Sequence, residues 1–511
     1  MPKPSHSPKG HLRLALVGAL ALWANHAEAS PLFDLTGDMQ GNGGLQARTI
    51  PGGAAAAYFN PALLDDVPGS MQFGVMLLRQ EIGIAVDDRP GPQYDVPDGI
   101  SSAFHSDFNR LDRYAIPTRM LELGRPGDMR MKPFRARPRQ HAGTGQETYA
   151  YMGFGLVVKA FKDYLTLGIH GMVPFGEFTT IHAFYSDERE QYFSNSLHPE
   201  LYGARLTAPS LAFAAGVRLM KGLSLGVGAT LSLKAAAVAP TYVTDTGNYE
   251  TILIDMDTGV NVSLTPHFGV SYTFLDERFR VTATAHPPRQ MEFGTSFTFL
   301  LASGTEQSAG IPFVLNYTPW MIGGGAAFDI LHGPDDALTV SGTLLYSAWS
   351  TYVDRHGDRP TPNFKWLDVI SPVLGMRYRQ GKASALFDVA YTPSPVPEQA
   401  GRSNYVDNDR VSGALGGELG FNVFDVDAQV GLNLQAHHLL EQHHTKLRTP
   451  TDASGANLAP ELVKDEVPDD AEISGDPVPG REGLQTNNPG FPGFGSEGWI
   501  FAGSLYLRVM I

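Results

Sequence analysis

The sequence of 511 residues holds no cysteine. Disulfides, thiolate nucleophiles and cysteine-ligated metals are excluded at once. Charge is sparse, at 18% of residues, and its balance is acidic, with a net charge of −15. Nucleic acid is therefore a poor partner, since its phosphates attract basic patches. Also missing is any apolar run of the ~20 residues that a membrane-spanning helix needs. The one short run, Leu14 to Trp23, follows a basic start (Lys3, Lys9, His11, Arg13) and precedes Ala27-Glu28-Ala29. This is the layout of a secretory signal peptide spanning 1–29, cut before Ser30. Its removal takes away three cations and one carboxylate and leaves the mature chain at −17.

What the chain does have is alternation. In Leu223 to Lys234, leucine, valine and alanine occupy every second position, and serine, threonine, glycine and Lys234 occupy the others. Period two is the mark of a strand with an apolar environment on one side only. Leu211 to Met220, Arg280 to Ala285, Val373 to Arg379 and Val411 to Leu419 repeat it. Fourteen such segments run at roughly 70–86, 148–159, 165–178, 209–220, 223–240, 259–275, 279–300, 309–330, 337–352, 364–379, 383–394, 408–422, 425–440 and 498–511. Many exceed the ~9–11 residues that a tilted strand needs to cross a bilayer. The connections fall into two classes. Ala160–Tyr164, Lys221–Gly222, Asp276–Arg278, Gly381–Lys382 and Val423–Phe424 are tight, whereas 87–147, 179–208, 241–258 and 441–497 are long. Short turns at one rim and long loops at the other describe a transmembrane antiparallel β-barrel. Closure is required because hydrocarbon leaves no partner for an open sheet edge. Tyr317, Trp320, Tyr346, Trp349, Tyr352, Trp366, Tyr391 and Trp499 lie near strand ends, where interfacial girdles form. The fold class expected is all-β, a barrel of about fourteen strands over 70–511.

Residues 30–69 do not alternate. They are rich in glycine, carry the run Ala54 to Ala57, and end in Tyr58-Phe59-Asn60-Pro61-Ala62. Small residues allow close backbone packing, and an Asn-Pro pair starts a turn. A hatch, or plug, inside the lumen is the natural reading. Two loops stand out: 441–497, rich in Pro, Gly, Asp and Glu, and 87–147, with Arg125, Arg130, Arg135, Arg137 and Arg139. These arginines fit contact with lipopolysaccharide phosphates or with an acidic ligand, or else a solvated surface loop.

The chain resembles the FadL-type outer-membrane transporters of long-chain fatty acids and hydrophobic compounds. The resemblance rests on Asn60-Pro61-Ala62, Val173-Pro174-Phe175-Gly176, Trp349-Ser350, Tyr391-Thr392-Pro393-Ser394-Pro395-Val396-Pro397 and Asp409-Arg410-Val411-Ser412, in that order. It differs in its alanine run, where members often carry acidic residues, and in ending at Ile511 rather than phenylalanine. The resemblance implies an outer-membrane location, a fourteen-stranded barrel with a hatch, and passive uptake of hydrophobic molecules by a lumen pocket, hatch movement and a lateral opening. Gly168, Gly171, Pro174, Phe175 and Gly176 are the candidates for that opening, since proline cannot donate to the ladder and glycines invite bulges. By alternation Lys234, Arg377 and Arg410 point inward, as candidates for an acidic head group or as partners of inward Asp388 and Glu418. His437, His438, His443 and His444 lack a framing carboxylate motif, so no metal is expected. No nucleophile motif is present, and neither catalysis nor a cofactor is expected. The partners expected are a hydrophobic small molecule and outer-membrane lipid and lipopolysaccharide, for a monomer. A general porin for hydrophilic solutes and a structural or adhesive barrel are the alternatives.

Overall fold

The computed structural model describes residues 31–87, 143–161, 164–175, 197–199, 201–207, 209–233, 241–245, 248–258, 262–300, 305–333, 335–353, 359, 365–399, 405–446, 490 and 493–511. Twenty strands run through them. Fourteen close into one antiparallel barrel: β1 (Ser70–Val86), β2 (Gly143–Ala160), β3 (Leu165–Pro174), β5 (Ser210–Met220), β6 (Leu223–Leu233), β9 (Val262–Phe274), β10 (Phe279–His286), β13 (Met321–His332), β14 (Asp336–Ser347), β15 (Val369–Gln380), β16 (Ala383–Thr392), β18 (Arg410–Val423), β19 (Val426–Thr445) and β20 (Gly493–Met510). Each barrel strand answers to one of the fourteen alternating segments. The last strand meets the first over its whole length, from Ser70 opposite Met510 to Val86 opposite Phe494.

The pleat explains the pattern. On β1, Met71, Phe73, Val75 and Leu77 are exposed outward, while Gln72, Met76, Leu78 and Gln80 are buried inward. The same holds for Trp499, Phe501, Leu505 and Leu507 on β20. An apolar exterior around the whole circumference cannot face water, because soluble monomers rarely expose more than a few hundred Å² of contiguous apolar surface. It faces hydrocarbon. No helix among the described residues is long and apolar enough to cross a membrane.

The rims differ as alternation and loop length suggest. One carries the short connections that follow β2, β5, β9, β13, β15 and β18. The long connections all leave from the other.

The sequence reading misses some breaks. Segments 279–300 and 309–330 are not single strands. They break at Pro287-Pro288 and Pro319-Trp320, where proline supplies no ladder donor. Their outer parts, β11 (Arg289–Leu300) and β12 (Glu306–Thr318), join a separate sheet with β7 (Thr241–Asp245) and β8 (Asn248–Thr258), in the order β12-β11-β8-β7. Residues 241–258, expected as loop, thus form a hairpin. β4 (His198–Pro199) and β17 (Tyr405–Val406) pair in parallel and draw two long-loop segments together over the barrel mouth.

Candidate functional site

A fourteen-stranded barrel is too wide for its own inward side chains to fill. Residues 31–69 occupy that space, and nearly every side chain in the stretch is buried or half-buried. A short helix, Pro31–Thr36, is followed by turns, a single helical turn at Ala56–Phe59 and a 3-10 helix at Pro61–Asp66.

The motif Tyr58-Phe59-Asn60-Pro61-Ala62 is the joint between the last two. Asn60 leaves the helical region (φ −158°), and its side-chain oxygen accepts from the Ala62 N–H at 3.2 Å. It is a side-chain cap, with proline in the first position of the new helix, where a missing N–H costs nothing. The Asn60 amide also donates to the Arg48 carbonyl at 3.0 Å. Glycines on the wall admit this joint. A Cβ on Gly269 would land on the Asn60 oxygen, and one on Gly226 would land on Pro61 and the Ala62 nitrogen.

Polar groups fix the hatch at several heights. Near the short-turn rim, Asp65 accepts from Arg218 and Ser224, both at 2.7 Å, and Asp66 pairs with Arg280 at 2.6 Å. Midway, Arg377 donates to Asp388 at 2.5 Å and to the Gly43 carbonyl at 2.5 Å, while Asp388 accepts from the Leu45 N–H at 2.8 Å. Gln435 and Asn433 donate to the Thr36 and Gly41 carbonyls at 2.6 and 3.0 Å. Higher up, Asp34 accepts from Arg48 at 3.1 Å, from Arg289 at 3.3 Å and from the Tyr58 hydroxyl at 2.9 Å. Burial pushes the Tyr58 hydroxyl up, so it remains a donor.

Between this floor and the segments folded over the mouth lies a cavity of about 180 Å³. Leu35, Leu45 and Phe59 belong to its floor, and Met321 and Leu345 to its wall. Leu201, Tyr317 and Trp349 line it on the long-loop side, where it is partly open. Arg410 borders it and donates to the Tyr202 hydroxyl and to Thr392, at 3.4 Å each. Asp407, next to it, is buried and pushed up to about 6 by that burial.

The remaining candidates from the sequence scatter. Arg377 is held by Asp388 and the hatch, whereas Arg410 reaches the cavity. Lys234, Gly176 and the arginines at 125–139 lie outside the described residues. Gly168 and Gly171 do not interrupt β3. Its ladder runs without a register shift from Ala160–Leu165 to Tyr151–Pro174 on β2, and from Leu165–Val217 to Met172–Ser210 on β5. Gly168 makes room for Leu64 of the hatch, and Gly171 lies beneath Phe154. Pro174 is the last residue of β3, and Phe175 is exposed beyond it.

The four histidines of β19 are divided by the pleat. His437 is buried against Ser412 at 2.8 Å, His438 stacks outward on Trp499, His443 meets Asp87, and His444 is buried beside Phe494. The expected girdle also divides. Trp320, Tyr346, Tyr391 and Trp499 face out, while Tyr317, Tyr352 and Trp366 form an inward cluster with Tyr352 and Trp366 stacked 3.7 Å apart. The Asp34–Arg48–Arg289 cluster escaped the sequence reading. Its one signal is that Asp34, Asp38 and Arg48 are the only charges between residues 31 and 64.

No family model and no curated protein matches the chain. Solved structures do. The CymD monoaromatic hydrocarbon channel aligns at 12% identity and a TM-score of 0.42, over 95% of this chain and 98% of that one. The toluene transporter TbuX of Ralstonia pickettii gives 12% and 0.41, over 95% and 100%. The toluene transporter TodX of Pseudomonas putida gives 11% and 0.43, over 94% and 98%. At such identities the likeness concerns barrel architecture and assigns neither residues nor ligand.

Proposed function

We propose that this protein is a FadL-type outer-membrane channel through which small hydrophobic molecules enter passively. The observation that carries the reading is the cavity between hatch and roof. An apolar cavity of roughly 150 Å³ accepts benzene, so a space of about 180 Å³, lined by Leu35, Leu45, Phe59 and Met321 but also by Asp34, Arg48 and Arg410, has room for a single ring or a short chain. Burying about seven carbons gains on the order of 5 kcal/mol at ~0.8 kcal/mol each, and immobilising the ligand offsets part of this, which leaves a weak site. Such a site captures its ligand and still releases it without an energy source. A sixteen-carbon chain buried in full would gain more than twice as much and would be held.

Entry is from the long-loop side. In this reading the ligand leaves sideways at the outer end of β3, where pairing with β5 stops at Met172–Ser210 and Pro174 offers no donor. The part of the hatch that gives way is its first stretch, around Leu35, which belongs to the cavity floor. Arg410 is the candidate to orient a polar or acidic group on the ligand.

Calorimetric titration of the full chain in detergent tests the proposal. Toluene is expected to bind, and Ala390→Trp, which fills the cavity from β16, is expected to abolish binding. Equal binding by wild type and variant would reject the cavity as the site.

A further inference from the structure

The short turns carry an anomaly. Gly222 (φ +83°) and Gly381 (φ +56°) take the left-handed conformation that tight hairpins demand. Three other turns place a large apolar residue there instead: Phe161 (φ +48°), Leu275 (φ +54°) and Phe424 (φ +50°). Bulky side chains are strained in this region, where asparagine or glycine fits without difficulty. The same residues are 79%, 63% and 95% exposed. In water they would suffer both backbone strain and apolar hydration.

Their position removes the second cost, and contact with lipid is what offsets the first. Each ends a column of the outward, lipid-facing surface. Val158 precedes Phe161, Tyr272 precedes Leu275, and Val423 and Val426 flank Phe424, all of them exposed. Acidic residues follow directly at two tips, Asp276 and Glu277 after Leu275 and Asp425 after Phe424. Each of these two tips is apolar on the side continuous with the lipid belt and charged beside it.

The spacing identifies the partner. The three tips join β2 to β3, β9 to β10 and β18 to β19. Around the ring they are four, six and four strands apart, so no half of the barrel lacks one. A docked protein would meet one sector of the rim, whereas a membrane leaflet meets all of it. We infer that Phe161, Leu275 and Phe424 are membrane anchors inserted into the phospholipid leaflet on the short-turn side, at the boundary of headgroups and acyl chains. They fix the depth of the barrel whatever it transports.

The absence of cysteine makes the test clean. Phe161→Cys, Leu275→Cys and Phe424→Cys, each nitroxide-labelled, are reconstituted as the full chain in phosphatidylethanolamine–phosphatidylglycerol vesicles. Lys382→Cys, at an exposed turn position, is the aqueous control. Dissolved oxygen should relax the three labels more strongly than a water-soluble nickel chelate does, with the reverse at position 382. Three labels that behave like the control overturn the inference, as does a single immersed label among the three. So do labels that are aqueous in lipid and become shielded only on adding periplasmic extract. The triple variant Phe161→Asn/Leu275→Asn/Phe424→Asn keeps residues that tolerate positive φ. It should melt in detergent no earlier than wild type yet insert into preformed vesicles several-fold less well. Insertion at the wild-type level would also overturn the inference.

Discussion

Arg377 on β15 and Asp388 on β16 pair diagonally across the strands at 2.5 Å, and each also reaches inward to the hatch, Arg377 to the Gly43 carbonyl and Asp388 to the Leu45 N–H. An ion pair of the wall is thus also a clasp for the plug. Asp388 is fully buried and Arg377 nearly so, and breaking such a pair leaves a charge without compensation. Asp388→Leu alone should cost about 3–5 kcal/mol in urea unfolding in detergent. The double variant Arg377→Met/Asp388→Leu should lose less than the sum of the two singles. Strict additivity would mean that the two side chains do not act together.

The close approach at Gly269 and Gly226 leads to a second expectation. Gly269→Val should displace Asn60, at a cost of about 1–3 kcal/mol by overpacking, and should open an ion leak in planar bilayers. Gly324→Ala, whose added methyl meets nothing, should do neither. A tight bilayer with Gly269→Val would argue that the joint does not seal the lumen.

Asp38 gives the hatch a pH dependence. Burial, outweighing the pull of Arg508, pushes its carboxyl up from 3.8 to about 6. Between these values the folded hatch holds a proton that the unfolded chain lacks, so the slope of stability against pH is negative there. Stability should therefore rise as pH falls from 7 through 6 and level off near 4. Asp38→Asn should remove this component, and thermal melting at pH 7 and pH 5 would show it as a smaller difference. An unchanged difference would assign the effect elsewhere.

The exit at the outer end of β3 has its own test. Pro174→Thr restores a backbone donor next to the point where pairing with β5 ends. Uptake of a labelled monoaromatic should fall in correctly inserted protein. Uptake at the wild-type rate would remove the sideways route.

Much of this architecture was readable in advance because a membrane barrel writes itself locally. Each strand alternates by itself, and loop length sorts the rims, so Leu223 to Leu233 could be placed without knowing its neighbours. Asn60-Pro61 was readable for the same reason, since cap and helix start are adjacent. The proline pair at 287–288 and the proline at 319 carry the breaks that the alternation conceals. What stayed hidden was long-range. Asp34 and Arg289 stand 255 residues apart, and no local pattern joins them. Alternation sends Arg377 inward, but only the fold sets it against the Gly43 carbonyl of the hatch. Gly168 and Gly171 looked like interruptions of β3. In the fold Gly168 gives space to the hatch and Gly171 lies under Phe154, a role that depends on neighbours absent from the local sequence.

In the proposed mechanism the cavity above the hatch is the route for small apolar molecules. Proteoliposomes holding the full chain, with either wild type or Ala390→Trp, measure it directly by uptake of radiolabelled toluene alongside radiolabelled sucrose. Wild type should take up toluene in a saturable manner and exclude sucrose, and the filled cavity should abolish the saturable component. Toluene uptake that ignores the substitution, or sucrose entering as freely, would contradict the account.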